Sequence, residues 1–213
     1  MKPGDEYNPD LCLAYKVLDE PDAYLGVPST AYLRSYLSGA EMRRLIVDPE
    51  FCYARIVGVL GDPNFSQQFV DATNHPKLTI AYASALQFTD FSLADGFAKL
   101  RQAAIGWHRR YGWANVENEP AQRDDRLLEE FWENLVKRTA MYTGGADGWS
   151  LFCFLNGMTQ GGDWLGLDEV PGLSDAFDKI QGRSRKHYGT GFAAFRFCST
   201  GELLGWAGLP GID

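Results

Sequence analysis

The feature that most constrains the fold of this 213-residue chain is a segment near its start that recurs, without a gap, 118 positions later. The stretch AYLGVPSTAYLRSYLSG, from Ala23, matches MYTGGADGWSLFCFLNG, from Met141. Aligned positions keep the same kind of side chain: Tyr24 with Tyr142, Gly26 with Gly144, Leu33 with Leu151, Tyr36 with Phe154, Leu37 with Leu155 and Gly39 with Gly157. Repetition of this kind predicts a chain built from two related units.

A second match follows the first in each copy. LADGFAKL, from Leu93, matches LSDAFDKI, from Leu173, at a shift of 80 positions, so the first copy carries an insertion between its two blocks. We therefore predict that residues 1–118 form a first repeat unit with an insertion and residues 119–213 a second. The polar stretch Asn115–Pro120 is the predicted linker. The sequence leaves open whether the units are separate domains or one compact, pseudo-symmetric domain.

Helical patterns dominate the repeated blocks. Apolar residues recur at i, i+3, i+4 spacing from Leu33 in the first copy and from Leu151 in the second. Asp147 is the predicted N-cap of the later helix, because a carboxylate at that position accepts hydrogen bonds from free backbone N–H groups. Further helices are predicted in the second block of each copy and over residues 122–139.

Strand patterns are fewer. Residues 78–88 alternate apolar and polar side chains, and FAAFRFC (from Phe192), STGE and LLGWAG together have the pattern of a hairpin. The stretch from Phe51 to Leu60 fits either a strand or a buried helix. Since helices and strands are segregated along the chain, the predicted fold class is α+β, with two related helical units packed with a short antiparallel sheet.

The charge balance narrows the classes of partner. The chain has 20 Lys or Arg and 28 Asp or Glu, a net charge of −8, which repels phosphate backbones and anionic membranes and favours a basic protein partner. No apolar run reaches the roughly 18 residues of a membrane span, and the N-terminus is polar rather than signal-like. We therefore expect a cytoplasmic protein.

The stretch KRTAMYTGGADGWSLFCFLNG, residues 137–157, resembles a pattern of Arg, often Pro, then Met-Tyr-x-Gly, a spacer and Leu-x-x-Phe-Leu-x-Gly. Proteins with this pattern resemble immunity proteins of bacterial polymorphic toxin systems. The matching residues here are Arg138, Met141, Tyr142, Gly144, Leu151, Phe154, Leu155 and Gly157. The chain departs from the pattern at Thr139-Ala140, where Arg-Pro often leads, and its first copy keeps less of it. The resemblance implies a protein that neutralises one cognate toxin by covering it, without catalytic residues or a cofactor.

The predicted toxin-binding surface lies between two helices, in the segment 158–172. There, Gly161-Gly162 is expected to free the backbone so that Trp164 projects from the surface. The candidate partner-binding residues of this segment are Asp163, Trp164, Asp168 and Glu169. Asp147 and Trp149 form a second candidate patch. An acidic, aromatic surface of this kind would capture a basic toxin by electrostatic steering and hold it through aromatic anchors.

The main alternative is a small hydrolase or transferase. Its best nucleophile and base would be Cys198 and His187, but both flank a predicted apolar strand, and Glu129 and Glu130 lie on a helix face with the pattern of a solvated surface. Cysteine and histidine are otherwise scattered, so no metal site is predicted, and all four cysteines are read as buried.

A third alternative is nucleic-acid binding through the basic and aromatic stretches at residues 107–111 and 183–188. Both stretches fall where cations are favoured at predicted helix C-termini, and the net charge opposes this reading. Nucleic acid is therefore the less expected partner.

Overall fold

The computed structural model describes residues 6–65, 93–112, 126–145 and 147–208, and these residues are helical or irregular, with no strand among them. The first part of the chain forms a 3₁₀ turn at Pro9–Leu11, α1 (Leu13–Asp19), α2 (Pro21–Tyr24), α3 (Thr30–Val47), α4 (Ala54–Val57), a second 3₁₀ turn at Gly58–Gly61 and α5 (Leu93–Tyr111). The second part forms α6 (Arg126–Lys137), α7 (Thr139–Thr143), α8 (Gly148–Asn156), a π-helical turn at Gly157–Gly161, α9 (Gly162–Leu165), α10 (Leu173–Tyr188), α11 (Ala193–Phe197) and α12 (Thr200–Ala207).

The predicted α+β class with a short antiparallel sheet is therefore wrong for the described residues. The stretch predicted as a hairpin forms α11 and α12. Its STGE tetrapeptide is a capping box: the Ser199 hydroxyl accepts from the Glu202 backbone N–H, and the Glu202 carboxylate accepts from the Ser199 N–H at 2.8 Å. Within the stretch from Phe51 to Leu60, residues 54–60 are helical, and the predicted strand over 78–88 lies outside the described residues.

The chain divides into two compact units. The first comprises residues 1–37 and 52–119, and the second comprises residues 38–51 and 120–213. The start of α3 thus belongs to the first unit and the rest of that helix to the second. The proposed division into repeats 1–118 and 119–213 stays a prediction.

In the first unit, α1 packs against α4 and α5. The hydroxyl of Tyr15 lies 3.2 Å from Nδ1 of His108, and both side chains are buried. Beside them, Trp107 Nε1 donates to the buried carboxylate of Asp62 at 3.1 Å. The aromatic residues at the end of α5 therefore hold the interior of this unit together.

In the second unit, α8 lies at the centre, with nearly all its side chains buried, and packs against α7, α11 and α12. Gly39 of α3 lies so close to α8 that a Cβ atom there would be 2.0 Å from the carbonyl oxygen of Phe154. Because glycine has no Cβ, it allows the two backbones to approach this closely.

Element boundaries recur at the offset of 118 positions that relates the two sequence copies. Gly26 and Gly144 both have left-handed backbones, with φ of 73° and 69°. The paired boundaries are the ends of α1 and α6 at Asp19 and Lys137, the starts of α2 and α7 at Pro21 and Thr139, the starts of α3 and α8 at Thr30 and Gly148, and the ends of α3 and α9 at Val47 and Leu165. A duplicated segment would produce this agreement, although the duplication itself stays a prediction.

Candidate protein-binding site

A buried arginine organises the segment in which the partner-binding residues were predicted. Arg43 lies on α3 and is only 2% exposed. Its Nε donates to the carbonyl oxygen of Asp168 at 2.7 Å, and its Nη2 donates to that of Leu167. Its Nη1 donates to the carbonyl oxygens of Met158 and Thr159, at 2.8 and 3.0 Å, and to the Asp163 carboxylate at 2.8 Å. One guanidinium thus joins both ends of the segment 158–168.

The backbone supplies these acceptors because the helix changes its winding here. Met158 and Thr159 lie in the π-helical turn at Gly157–Gly161, where the regular helical pairing of carbonyl oxygens changes, and Leu167 and Asp168 lie in the irregular chain that follows α9. A guanidinium satisfies several such oxygens at once, since its N–H groups form a rigid fork, and a helix C-terminus favours a cation. We call Arg43 with its five acceptors the Arg43 clamp.

Gly161 and Gly162 do not free the backbone, as the sequence analysis expected. Both have helical φ angles, of −66° and −64°. At Gly162, a Cβ atom would lie 2.2 Å from Cδ of Arg43, so this glycine is needed for the close approach of the arginine. The segment is mostly helical and is held by the clamp.

The clamp leaves three carboxylates facing solvent. The Asp163 side chain is 73% exposed despite its ion pair with Arg43, and Asp168 and Glu169 are also exposed. We call Asp163, Asp168 and Glu169 the acidic ridge. Trp164 is half-buried rather than projecting, and the apolar residues Leu165, Leu167 and Val170 are buried beneath the ridge.

The second candidate patch has a different role. Asp147 caps α8, because its carboxylate accepts from the backbone N–H of Ser150 at 2.9 Å and from the Ser150 hydroxyl at 2.6 Å. Trp149 is half-buried, with the guanidinium of Arg196 4.8 Å from its ring centroid. Asp147 is therefore occupied by helix capping, which the sequence analysis also predicted for it.

The sequence analysis missed a second surface, on and beside α11. Tyr188, Phe192 and Phe197 are large, exposed aromatic residues, and Arg196, which lies between Phe192 and Phe197 in the sequence, is also exposed. We call these four residues the aromatic face. The predicted hairpin did not indicate the aromatic face, because a strand would have placed these side chains alternately on two sides of a sheet. The capping box at Ser199 was the signal that would have indicated helices here.

The predicted catalytic pair does not come together. The Cys198 thiol lies 3.4 Å from the Tyr188 hydroxyl, and this hydrogen bond raises the pKa of Tyr188. The His187 ring packs against Trp206, with 5.6 Å between centroids, and in the described part of the chain no hydrogen bond joins it to Cys198. Glu130 is exposed on α6, as predicted for a solvated helix face, and the side chain of Glu129 lies outside the described residues.

The four cysteines only partly match the prediction that all of them are buried. Cys12 and Cys153 are buried, Cys198 is half-buried and Cys52 is exposed. Burial raises the pKa of the Cys12 thiol to about 12 and also raises that of Cys153, which keeps both thiols protonated and poorly nucleophilic. Within the described ranges, no group of His, Cys, Asp and Glu could hold a metal ion.

The two basic and aromatic stretches differ in their exposure. In the first, Trp107 and His108 bond to core residues, while Arg109, Arg110 and Tyr111 are exposed. In the second, Arg183, Arg185, Lys186 and Tyr188 are exposed. Among the helices of the described ranges, none is both long enough and apolar enough to cross a membrane.

Comparison with known proteins finds no matching family model, no matching curated protein and no matching solved structure.

Proposed function

We propose that this chain is a cytoplasmic binding protein that covers and neutralises a basic partner protein with its acidic ridge. The partner class implied by the motif at residues 137–157 is a cognate bacterial toxin. The observation that carries the proposal is the Arg43 clamp, which holds the backbone carrying Asp163, Asp168 and Glu169 with five hydrogen bonds.

The clamp matters for binding because ordering a loop on association costs free energy. A surface that is already ordered in the free protein avoids this cost and binds more tightly for the same contacts. The ridge combines such a backbone with exposed carboxylates, in a chain of net charge −8. This combination supports capture by electrostatic steering, followed by steric occlusion of the partner.

The genetic test is direct. We expect the gene to lie next to one that encodes a large protein with a toxic C-terminal domain. Co-expression should rescue cells from that domain, and the two proteins should co-purify. A neighbouring gene whose product is not toxic, or a toxic domain that this chain neither binds nor inhibits, would contradict the proposal.

The role of the ridge can be separated from that of net charge. We compare the double variant Asp168→Lys/Glu169→Lys with Asp175→Lys/Asp178→Lys, which makes the same change in charge at exposed positions of α10. Only the ridge variant should slow association with the toxin domain, by about tenfold at low salt. The difference should shrink in 0.5 M NaCl, as the Debye length falls to a few ångströms. Equal association rates for the two variants would remove the ridge from the interface.

A further inference from the structure

The aromatic face exposes apolar rings that the core of the second unit does not use. Phe197 is 72% exposed, Phe192 48% and Tyr188 43%. The Phe197 and Tyr188 rings contact each other, with centroids 5.8 Å apart. Single exposed apolar side chains are ordinary, but three exposed rings within ten positions of the chain, two of them in contact, together with an exposed arginine in the same stretch, have the composition of an interface.

The face is held in place rather than loosely attached. Ala194 and Phe195 of α11 are buried, which anchors that helix on the core. The Ser184 hydroxyl, on α10, donates to the carbonyl oxygen of Thr190 at 2.7 Å and accepts from the Ala194 N–H at 3.0 Å. The exposed rings of Phe192 and Phe197 are therefore presented by a fixed backbone, which lowers the cost of ordering them in a complex.

Basic residues predominate around the face, although the Glu202 carboxylate lies near Tyr188. Residues 179–201 contain five Lys or Arg and no Asp or Glu, in a chain that is acidic overall. All five cations are exposed on α10 and α11: Lys179, Arg183, Arg185, Lys186 and Arg196. The next acidic residue, Glu202, already caps α12, and its hydrogen bonds from Ser199 lower its pKa. An occupant that matches this surface carries negative charge beside apolar groups.

We propose that the aromatic face docks an acidic polypeptide segment with apolar side chains, contributed by a partner protein. Apolar side chains of the segment cover Phe192 and Phe197, while its carboxylates meet Arg196 and the cations at the end of α10. Phenylalanine and arginine suit this role because aromatic and arginine anchors carry much of the binding energy at protein interfaces. The polarity of this surface is opposite to that of the acidic ridge, so it requires a different contact and does not depend on the ridge.

The test uses the full chain, immobilised, and a phage-displayed library of random 16-residue peptides. We expect the enriched peptides to combine Asp or Glu with Leu, Ile or Phe, and to bind less tightly as NaCl is raised. Phe197→Ala should weaken them roughly tenfold or more. The matched control is Met141→Ala, because Met141 is 64% exposed on α7 and lies outside the face. This control should leave peptide binding unchanged.

Four results would overturn the proposal. Peptides without an acidic bias, or equal binding to the wild type and Phe197→Ala, would exclude the docking of an acidic segment. A 15-nucleotide oligouridylate that binds through Phe197 while acidic peptides do not would identify a nucleic-acid site. Sedimentation that shows a dimer lost in Phe197→Ala would assign the face to a second copy of this chain.

Discussion

Replacing Arg43 with methionine tests the central claim about the ridge. Methionine keeps an unbranched apolar stem of similar length but removes all the N–H donors of the guanidinium. The carbonyl oxygens of Met158, Thr159, Leu167 and Asp168 then lose the guanidinium as a donor, and the Asp163 carboxylate loses its ion pair. The expected result is a large loss in the free energy of unfolding of the second unit.

The magnitude follows from the burial of each acceptor. The hydrogen bonds to Met158 and Leu167 are buried, so each of these oxygens left without a donor costs about 1–3 kcal/mol. The ion pair with Asp163 adds little, because that carboxylate is exposed and well solvated. Arg43→Met should therefore cost about 2–5 kcal/mol, a sizeable part of the roughly 5–15 kcal/mol that stabilises a typical domain.

Urea unfolding followed by tryptophan fluorescence measures this loss, since Trp164 lies within the clamped segment. The matched control is Arg34→Met, because Arg34 is an exposed arginine on the same helix. Asp163→Asn removes only the ion pair and should change stability by less than about 1 kcal/mol. If Arg43→Met costs no more than Arg34→Met, the clamp does not hold the segment and the argument for a preformed ridge is wrong.

A double-mutant cycle of Arg43 and Gly162 tests the close approach of the arginine side chain to this glycine. Gly162→Ala places a methyl group on Cδ of Arg43, whose hydrogen bonds prevent it from moving aside, so this variant should be destabilised. In the Arg43→Met background, the more flexible methionine can give way and the cost should fall. A coupling below about 0.5 kcal/mol between the two substitutions would indicate that they act independently.

Three further predictions concern stability, each measured by urea unfolding. Gly39→Ala should lower the free energy of unfolding by about 1–3 kcal/mol, because its Cβ would meet a backbone carbonyl of α8. The control Gly182→Ala, in open space on α10, should raise it by about 0.5–1 kcal/mol. Equal effects of the two substitutions would contradict the packing of α3 on α8. Burial raises the pKa of the Glu41 carboxyl in the folded protein. The free energy of unfolding of the protein therefore falls as the pH rises from the pKa of this carboxyl in the unfolded chain to its pKa in the folded protein. Glu41→Gln should therefore be more stable than the wild type at pH 7 but not below about pH 4, and a pH-independent gain would refute this account. Asp147→Ala should cost about 1 kcal/mol through the lost cap of α8, while Asp147→Ser should keep most of the stability; an equal loss in both variants would argue against capping.

Local rules recovered much of the helical structure. Leu33, Leu151 and their i+3 and i+4 neighbours are buried as the helical period requires, and Asp147 caps α8 as predicted. These features depend on residues within a few positions of one another, so the sequence alone is enough to identify them. The hairpin error at α11 and α12 was also local, because the pattern Ser199-Thr-Gly-Glu202 fits a turn as well as a capping box.

The position of the acidic ridge depends on long-range contacts, which no local sequence pattern predicts. The Arg43 clamp joins positions more than a hundred residues apart, and the nearby arginine on α3, Arg44, bonds instead to the carbonyl oxygens of Phe51 and Pro49. Nothing in the sequence around either arginine indicates which one would be clamped to a distant segment. Likewise, the glycine pair at Gly161-Gly162 resembles a flexible joint until the packed arginine is seen beside it.

The order of residues by itself determined the helical stripes, the caps and the uneven distribution of charge, because these follow from spacing and composition. Only the tertiary structure decided that a buried guanidinium would fix the acidic ridge, and that the rings of the aromatic face would remain in solvent. The physical reason is that burial and close approach belong to pairs of elements, and the chain brings those elements together only when it folds.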